Sequence, residues 1–278
     1  MNRSESTRRS WNVATALHNR HKGDQAARLR AGEELLFDEE LELLGSVEGA
    51  RVVHLQCNSG QDSLCLARRG ADVLGVDFSD EAITFARNLS AESGVAARFE
   101  CSEVLAWLHE TDQRFDVAFA SYGVVGWLPD LDLWARGGRK VLSPGGRLVY
   151  VDFHPIVWSL APAQPFAPIR DDYFDTNVFE DPVGDYVATS GTSLGAVDEA
   201  GPGENLLPAY SWQYGLGQIV SSVAQAGLSV KRLIEYPHSN GCRVLSGLVP
   251  APGRRWTWPE GVARLPLMFG LVATAPAG

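Results

Sequence analysis

The chain has 278 residues, 45% hydrophobic and 21% charged, with a formal net charge of −10. That length buries a core without staples, and the acidic balance opposes a phosphate backbone, so no nucleic-acid partner is expected. The four cysteines, Cys57, Cys65, Cys101 and Cys242, form no C-x-x-C pair and no zinc-ligand spacing with histidine, so no metal is expected and the setting reads as reducing and cytoplasmic.

In chain order, residues 1–10 read as disordered; they are polar and basic, unlike a secretory signal. From Trp11 to Leu44 the pattern is helical, with Leu29, Leu35, Leu36, Leu41, Leu43 and Leu44 at helical spacing and Gly32 splitting it. From Arg51 strands (52–56, 72–77, 96–101, 115–120, 146–153) alternate with helices (61–69, 80–93, 102–110, 130–141). This rhythm predicts an α/β fold with a parallel sheet covered on both faces. Residues 154–210 break the rhythm with Pro155, Pro162, Pro165, Pro168, Pro182, Pro202 and Pro208. Their aromatics, Tyr173, Phe174, Phe179 and Tyr186, argue for a packed insertion rather than disorder. A helix at 214–227 and strands at 229–236 and 265–275 complete the sheet. Arg254 and Arg255, beside Trp256 and Trp258, read as a solvated turn. No run is long enough to span a membrane.

The most informative stretch is 52–80. An apolar run, Val52-Val53-His54-Leu55, enters the loop Gln56-Cys57-Asn58-Ser59-Gly60, then a helix, then Val73-Leu74-Gly75-Val76 ending at Asp77. Strand, tight loop, helix, strand and acid build a nucleoside crevice at the carboxyl ends of parallel strands. A carboxylate at Asp77 accepts hydrogen bonds from ribose hydroxyls. The G-x-G-x-x-G of dinucleotide sites is missing, as is a P-loop, which disfavours a nicotinamide or flavin dinucleotide.

These residues resemble the class I S-adenosylmethionine-dependent methyltransferases over about 45–155, and more weakly over 210–275. The resemblance implies a Rossmann-like seven-stranded sheet with an antiparallel last strand, and S-adenosyl-L-methionine as cofactor. The family's acid-x-G-x-G-x-G loop falls on His54 to Gly60, where only the last glycine is kept. Gln56, Cys57, Asn58, Gly60 and Asp62 are then expected to bind the cofactor, with the Gln56 and Asn58 amides replacing the usual contacts to its methionine end. Asp77 matches the ribose acid and Phe78 an adenine-packing position. Ser102, Glu103 and Val104 match the segment beside the adenine amino group, and Ser121 and Tyr122 lie where the fourth strand meets the cofactor. Val141 to Leu148 resembles the family's turn into strand five.

The resemblance also implies a division into an N-terminal helical lid (1–44), a core (45–153), an inserted substrate cap (154–211) and a completion of the sheet (212–278). Lid residues Trp11, Asn12, His18, Asn19, His21 and Lys22 are expected to face the crevice. The expected activity is methyl transfer to oxygen, nitrogen or carbon of a small molecule, with secondary metabolism as a setting, by a monomer or homodimer. Its rivals are a cofactor-binding protein without catalysis and a protein methyltransferase. His154, after strand five, is the first candidate base and Tyr122 the second. His18, His21, Trp127, Trp158 and Arg243 are the candidate substrate contacts.

Overall fold

The computed structural model describes residues 2–160, 169–198 and 200–278. Pro162, Pro165 and Pro168 of the expected insertion lie outside the described residues. In chain order come α1 (Arg3–His21), α2 (Gln25–Arg30), α3 (Asp38–Leu44), β1 (Arg51–Leu55), α4 (Gln61–Arg68), β2 (Asp72–Asp77), α5 (Asp80–Ser93), β3 (Arg98–Cys101), α6 (Val104–Glu110), β4 (Phe115–Ser121), α7 (Leu131–Lys140) and β5 (Leu142–Phe153). They are followed by β6 (Val178–Pro182), α8 (Tyr186–Ser190), β7 (Pro208–Trp212), α9 (Leu216–Gln225), β8 (Ser229–Tyr236), β9 (His238–Asn240), β10 (Val249–Ala251), β11 (Arg255–Thr257) and β12 (Met268–Thr274).

The main sheet runs β3-β2-β1-β4-β5-β12-β8. Its first five strands are parallel, and β12 lies antiparallel between β5 and β8. Both faces are buried, which is why the strands read as continuous apolar runs. Val53 and Leu55 pack with Trp107, Trp134 and Tyr150 on one face, and Val52 with Leu64, Ile83, Phe99 and Phe119 on the other. Strand order reverses at β1, between β2 and β4, and the crevice opens at that point. Among the described residues no helix is long and apolar enough to cross a membrane.

The N-terminus departs from expectation. Residues 3–10 are ordered as the first turns of α1, capped by the Asn2 side chain. The helix looked too polar to pack, yet its hydroxyls are satisfied by the insertion. Ser6 Oγ donates to the Pro208 carbonyl (2.9 Å), Tyr210 N–H donates to Thr7 Oγ1 (2.8 Å) and Val183 N–H donates to Ser10 Oγ (3.1 Å). The insertion itself carries the antiparallel β6–β7 hairpin. Rather than one break at Gly32, the chain turns at Gly23 and again at Gly32, both at positive φ. Helix α3 packs on β5 and β12.

His21, expected at the crevice as a substrate contact, instead staples α1 to the insertion. It is fully buried, with Nδ1 2.8 Å from Asp198 and Nε2 2.9 Å from Asp185. The Asp198 hydrogen bond, with help from Asp185, raises its pKa against the cost of burial. A raised folded-state value makes this stabilisation fully present below the ordinary value of about 6.5, and it is lost as pH rises through the folded value. Melting temperature is therefore expected to fall with rising pH from about 6.5 upward by more than it does in His21→Gln; parallel curves for the two proteins would refute the charged staple.

No local pattern foreshadows the small sheet β10-β11-β9. It also corrects the reading of Arg254 and Arg255 as a solvated turn. Arg254 lies 4.2 Å over the Phe37 ring and donates to the Leu35 carbonyl, while Arg255 pairs with Asp38 (3.0 Å) and Glu39 (2.9 Å) on α3.

Candidate active site

The loop between β1 and α4 keeps a glycine-type backbone without the glycines. Gln56, Asn58 and Gly60 all have positive φ, at 55°, 47° and 77°. Asparagine tolerates this region and glutamine does so at a cost. The loop is held by its own polar groups: Asn58 Oδ1 accepts from Ser59 N–H (2.6 Å) and Ser59 Oγ (2.9 Å). The Asn58 backbone N–H donates to Asp77 (2.9 Å). Gln56 Nε2 reaches across to the Val124 carbonyl (2.9 Å), and its Oε1 is buried without a partner among the described residues.

Cys57 of the loop and His54 of β1 do not present side chains to a ligand. The Cys57 thiol is buried against Gly75, where a Cβ would stand 2.7 Å from its sulfur. His54 is sealed beneath the loop, with Nδ1 2.8 Å from Ser63 Oγ and Nε2 3.5 Å from Ser121 Oγ. Burial lowers its pKa to about 3, so a neutral ring ties β1, α4 and β4 together where the resembled family has an acid.

Asp77 ends β2 with a buried carboxylate. One oxygen accepts from Asn58 N–H and the other from Ser79 N–H (2.9 Å). Burial pushes its pKa up to about 6 against these bonds. Each oxygen retains acceptor capacity for a hydroxyl donor. Beyond it, Phe78, Ser102 and Glu103 line a cavity of about 410 Å³ with Cys101 and with Asn2, Ser4, Glu5 and Arg8 of the N-terminal segment. This size suits one end of a ligand. Both Glu103 oxygens also cap α6, accepting from Leu105 and Ala106 N–H. The Val104 side chain lies in the core, which removes it from the expected side-chain contacts.

Helix α1 lies across the crevice. Asn12 accepts from Ser79 Oγ (2.7 Å) and donates to Asp80 (2.7 Å), which also pairs with Arg8. Two turns on, Asn19 donates to Ser59 Oγ (2.8 Å) and accepts from Gln61 (3.2 Å). The lid is thus bonded to both walls, at the end of β2 and at the loop after β1. Trp11, His18, Trp127 and Tyr186 meet above the β4 edge. Trp11 packs edge-on against Trp127 at 5.3 Å, and His18 lies 4.0 Å from the Tyr186 ring. His18 Nε2 donates to the Gly184 carbonyl (2.9 Å), and burial lowers its pKa to about 4, keeping it neutral.

Tyr122 follows β4 at φ 50°, beside Gly123 at 78°. The sequence reading missed the residue that holds this turn. Asp152, at the end of β5, accepts from Gly123 N–H (2.6 Å), Val124 N–H (3.2 Å) and Tyr150 OH (2.5 Å). An acid closing a strand, as Asp77 closes β2, was the available signal. Tyr122 OH accepts from Asn240 Nδ2 (3.0 Å). Burial and the nearby Glu40 drive its pKa well up, so it is a proton-bearing donor and not a base. Asp62, with its pKa pushed up to about 6 by burial, and Lys22, lowered to about 8 by burial, flank the same corner. Glu40, Asn240 and Tyr186 were also missed as site residues, because nothing local in sequence points a helix acid or an insertion tyrosine at this edge.

His154 is corrected as the candidate base. Its Nδ1 accepts from Ile156 N–H (3.1 Å), capping the short turn Pro155–Ser159, and its Nε2 is 3.0 Å from Glu235. With one nitrogen a cap acceptor and the other bonded to Glu235, no lone pair is left for an acceptor substrate. Arg243 is corrected too: it is exposed, stacks 5.0 Å from the Trp256 ring and donates to the Ser246 carbonyl. Trp158 is half exposed, touching Phe153, which itself packs on Tyr122.

Residues 52–146 match a family model described as a methyltransferase domain. Over that stretch, from β1 into β5, the chain is similar to methyltransferase domains. A ubiquinone biosynthesis O-methyltransferase of Bordetella avium is 30% identical over 105 residues, 38% of this chain and 43% of that protein. The matched stretch therefore spans under half the length of such relatives. An S-adenosylmethionine-dependent methyltransferase from Mesorhizobium loti superposes with a TM-score of 0.57 at 20% identity, covering 85% of this chain and 95% of that one. The [4+2]-cyclase SpnF superposes with a TM-score of 0.55 at 16% identity, covering 95% and 97%. At these identities the likeness is one of fold alone.

Proposed function

We propose that the protein is a cytoplasmic enzyme transferring the methyl group of S-adenosylmethionine to a small molecule, with oxygen as the favoured acceptor atom. The observation that carries this is the convergence at the strand reversal of Asp77, the left-handed loop and the cavity beside Phe78. The residues fit the cofactor. Asp77 would hold the ribose, Phe78, Ser102 and Glu103 the base, and Gln56, whose buried oxygen has no partner among the described residues, the methionine end. The bound cofactor supplies an electrophilic sulfonium methyl. The chain's part is to orient an acceptor and exclude water. Tyr122 donates a hydrogen bond at the β4 edge, and α1 with α8 covers the crevice. That cover disfavours a folded protein as substrate, and the named O-methyltransferase relatives favour oxygen.

Calorimetry on the purified protein is expected to show saturable binding of S-adenosylmethionine and S-adenosylhomocysteine; absence of both would overturn the proposal. The second reading, cofactor binding without methyl transfer, draws support from the shared architecture of the [4+2]-cyclase and from the engaged nitrogens of His154. Tight cofactor binding with no methylated product from any member of a panel of phenols, amines and carbon acids would favour it.

A further inference from the structure

Two adjacent acids of α3 have opposite surroundings. Glu39 is neutralised by Arg255 (2.9 Å) and lies 2.8 Å from His238 Nε2. Glu40 is 1% exposed; its Oε2 accepts from Phe37 N–H (2.7 Å), and its Oε1 is buried with no partner among the described residues. Arg254, the cation that bears on Glu40, is spent on the Leu35 carbonyl and the Phe37 ring. A buried carboxyl this poorly paired is costly. The Tyr122 hydroxyl is the side-chain donor that acts on it. Asn240 ties both acids to that tyrosine: its Nδ2 donates to Glu39 (3.0 Å) and to Tyr122 OH (3.0 Å). The Phe37 ring, at the start of α3, meets the Tyr122 ring edge-on at 6.2 Å, which seats this end of the helix against the β4 edge.

Glu40 is sealed from solvent, whereas Tyr122 is partly exposed just beyond β4, on the carboxyl edge of the sheet. A phenol oxygen carries one proton and two lone pairs. Asn240 occupies one lone pair, the proton serves Glu40, and the second lone pair is left for a hydroxyl in the crevice. We propose that Glu40 takes the acceptor's proton at a distance, through the Tyr122 hydroxyl. The proposal rests on methyl transfer to oxygen as read above. In that step the acceptor oxygen bonds the methyl carbon, and the carbon–sulfur electron pair stays on sulfur. The acceptor's proton passes to the Tyr122 oxygen as the Tyr122 proton passes to Glu40. The tyrosine ends as it began, and the carboxylate's negative charge disappears together with the positive charge on sulfur. Tyr122 never has to ionise, which its own raised pKa would oppose. Burial and Asp62 of α4 push the Glu40 pKa well up, against Phe37 N–H, Arg254 and Tyr122, while Lys22 bears in turn on Asp62. The raised value makes Glu40 a stronger base once ionised. The role that the engaged nitrogens of His154 leave open thus falls to a residue on α3.

Infrared difference spectra between acid and alkaline pH test the pair without any acceptor present. The parent is expected to show a protonated buried carboxyl band, lost as pH rises, that is missing from Glu40→Gln and shifted in Tyr122→Phe. Unchanged S-adenosylhomocysteine affinity shows that each variant is folded, and the shift in Tyr122→Phe stands by itself should Glu40→Gln fail to fold. Turnover is then followed on a panel of phenols and alcohols. Each variant is expected to lose about a hundredfold in kcat with KM for S-adenosylmethionine unchanged, and the double variant no more than either alone, because the two residues act as a unit. The parent's kcat should rise with pH to a plateau, since Glu40 must be ionised, and Glu40→Gln should lack that rise. A band that Tyr122→Phe leaves in place would overturn the proposal, as would losses that multiply in the double variant or a pH rise retained in Glu40→Gln. Cofactor binding by the parent with no product from any member of the panel would instead remove the methyl-transfer reading on which the proposal stands.

Discussion

Gly60→Ala is expected to cost about 2–5 kcal/mol of stability, with a fall in melting temperature of order 10 °C. Two independent effects add here. The backbone is left-handed at φ 77°, which penalises any Cβ. A Cβ at this position would also stand 2.7 Å from the Ala86 Cβ and 2.8 Å from Phe99, inside contact distance. Neither neighbour is a flexible chain end, since Ala86 lies on α5 and Phe99 is wedged between β2 and the loop. Relief requires α4 to move away from α5, which shifts the loop that carries Asn58 toward Asp77. Thermal denaturation and S-adenosylhomocysteine binding measured on one sample should therefore fall together. A variant with unchanged melting temperature would show that the loop is soft and that Gly60 is dispensable.

Asp77→Ala is expected to weaken S-adenosylhomocysteine binding by about 3 kcal/mol or more, over a hundredfold in Kd. The loss combines two charge-assisted hydrogen bonds to ribose with the release of the Asn58 and Ser79 N–H groups that the carboxylate holds. Asp77 also gives the binding a pH dependence of known sign. Burial holds its pKa at about 6 in the free protein. Hydroxyl donors bind the ionised form better, so the ligand favours deprotonation. Affinity is then expected to fall as pH drops through about 6, and Asp77→Ala should lack that dependence. Measuring Kd from about pH 5 to about pH 8 in both proteins decides it: equal slopes would assign the titration to another group.

The core was legible because its signals are local. Strand β1 is buried on both faces and β2 ends in an acid, so period, length and terminal residue agreed within 30 or so residues. The seven-stranded sheet was what the family resemblance implied, and it puts Asp77, Phe78, Ser102 and Tyr122 at or just beyond the strand ends. The rest was hidden for specific physical reasons. Strands β9, β10 and β11 have three residues each, too few for any period to show. His154 and Asp152 sit two apart, a spacing that would put both on one face of a strand, and it is the capping of the turn after β5 by His154 that leaves Asp152 to serve the β4 turn. Helix α1 carries hydroxyls whose partners lie far along the chain, so no local pattern marked them as buried.

That last separation bears on the order in which the molecule is assembled. The bonds from Ser6, Thr7 and Ser10 reach residues 173 to 203 positions later. In a chain made from its N-terminus α1 emerges well before β6 and β7, yet the helix cannot seat until that hairpin exists. During that interval an apolar helix would be an aggregation hazard, whereas this one shows water mostly hydroxyls, amides and charges. The polarity that disguised α1 as surface thus lets it wait in solvent, and its closure belongs among the late, slow steps set by distant contacts.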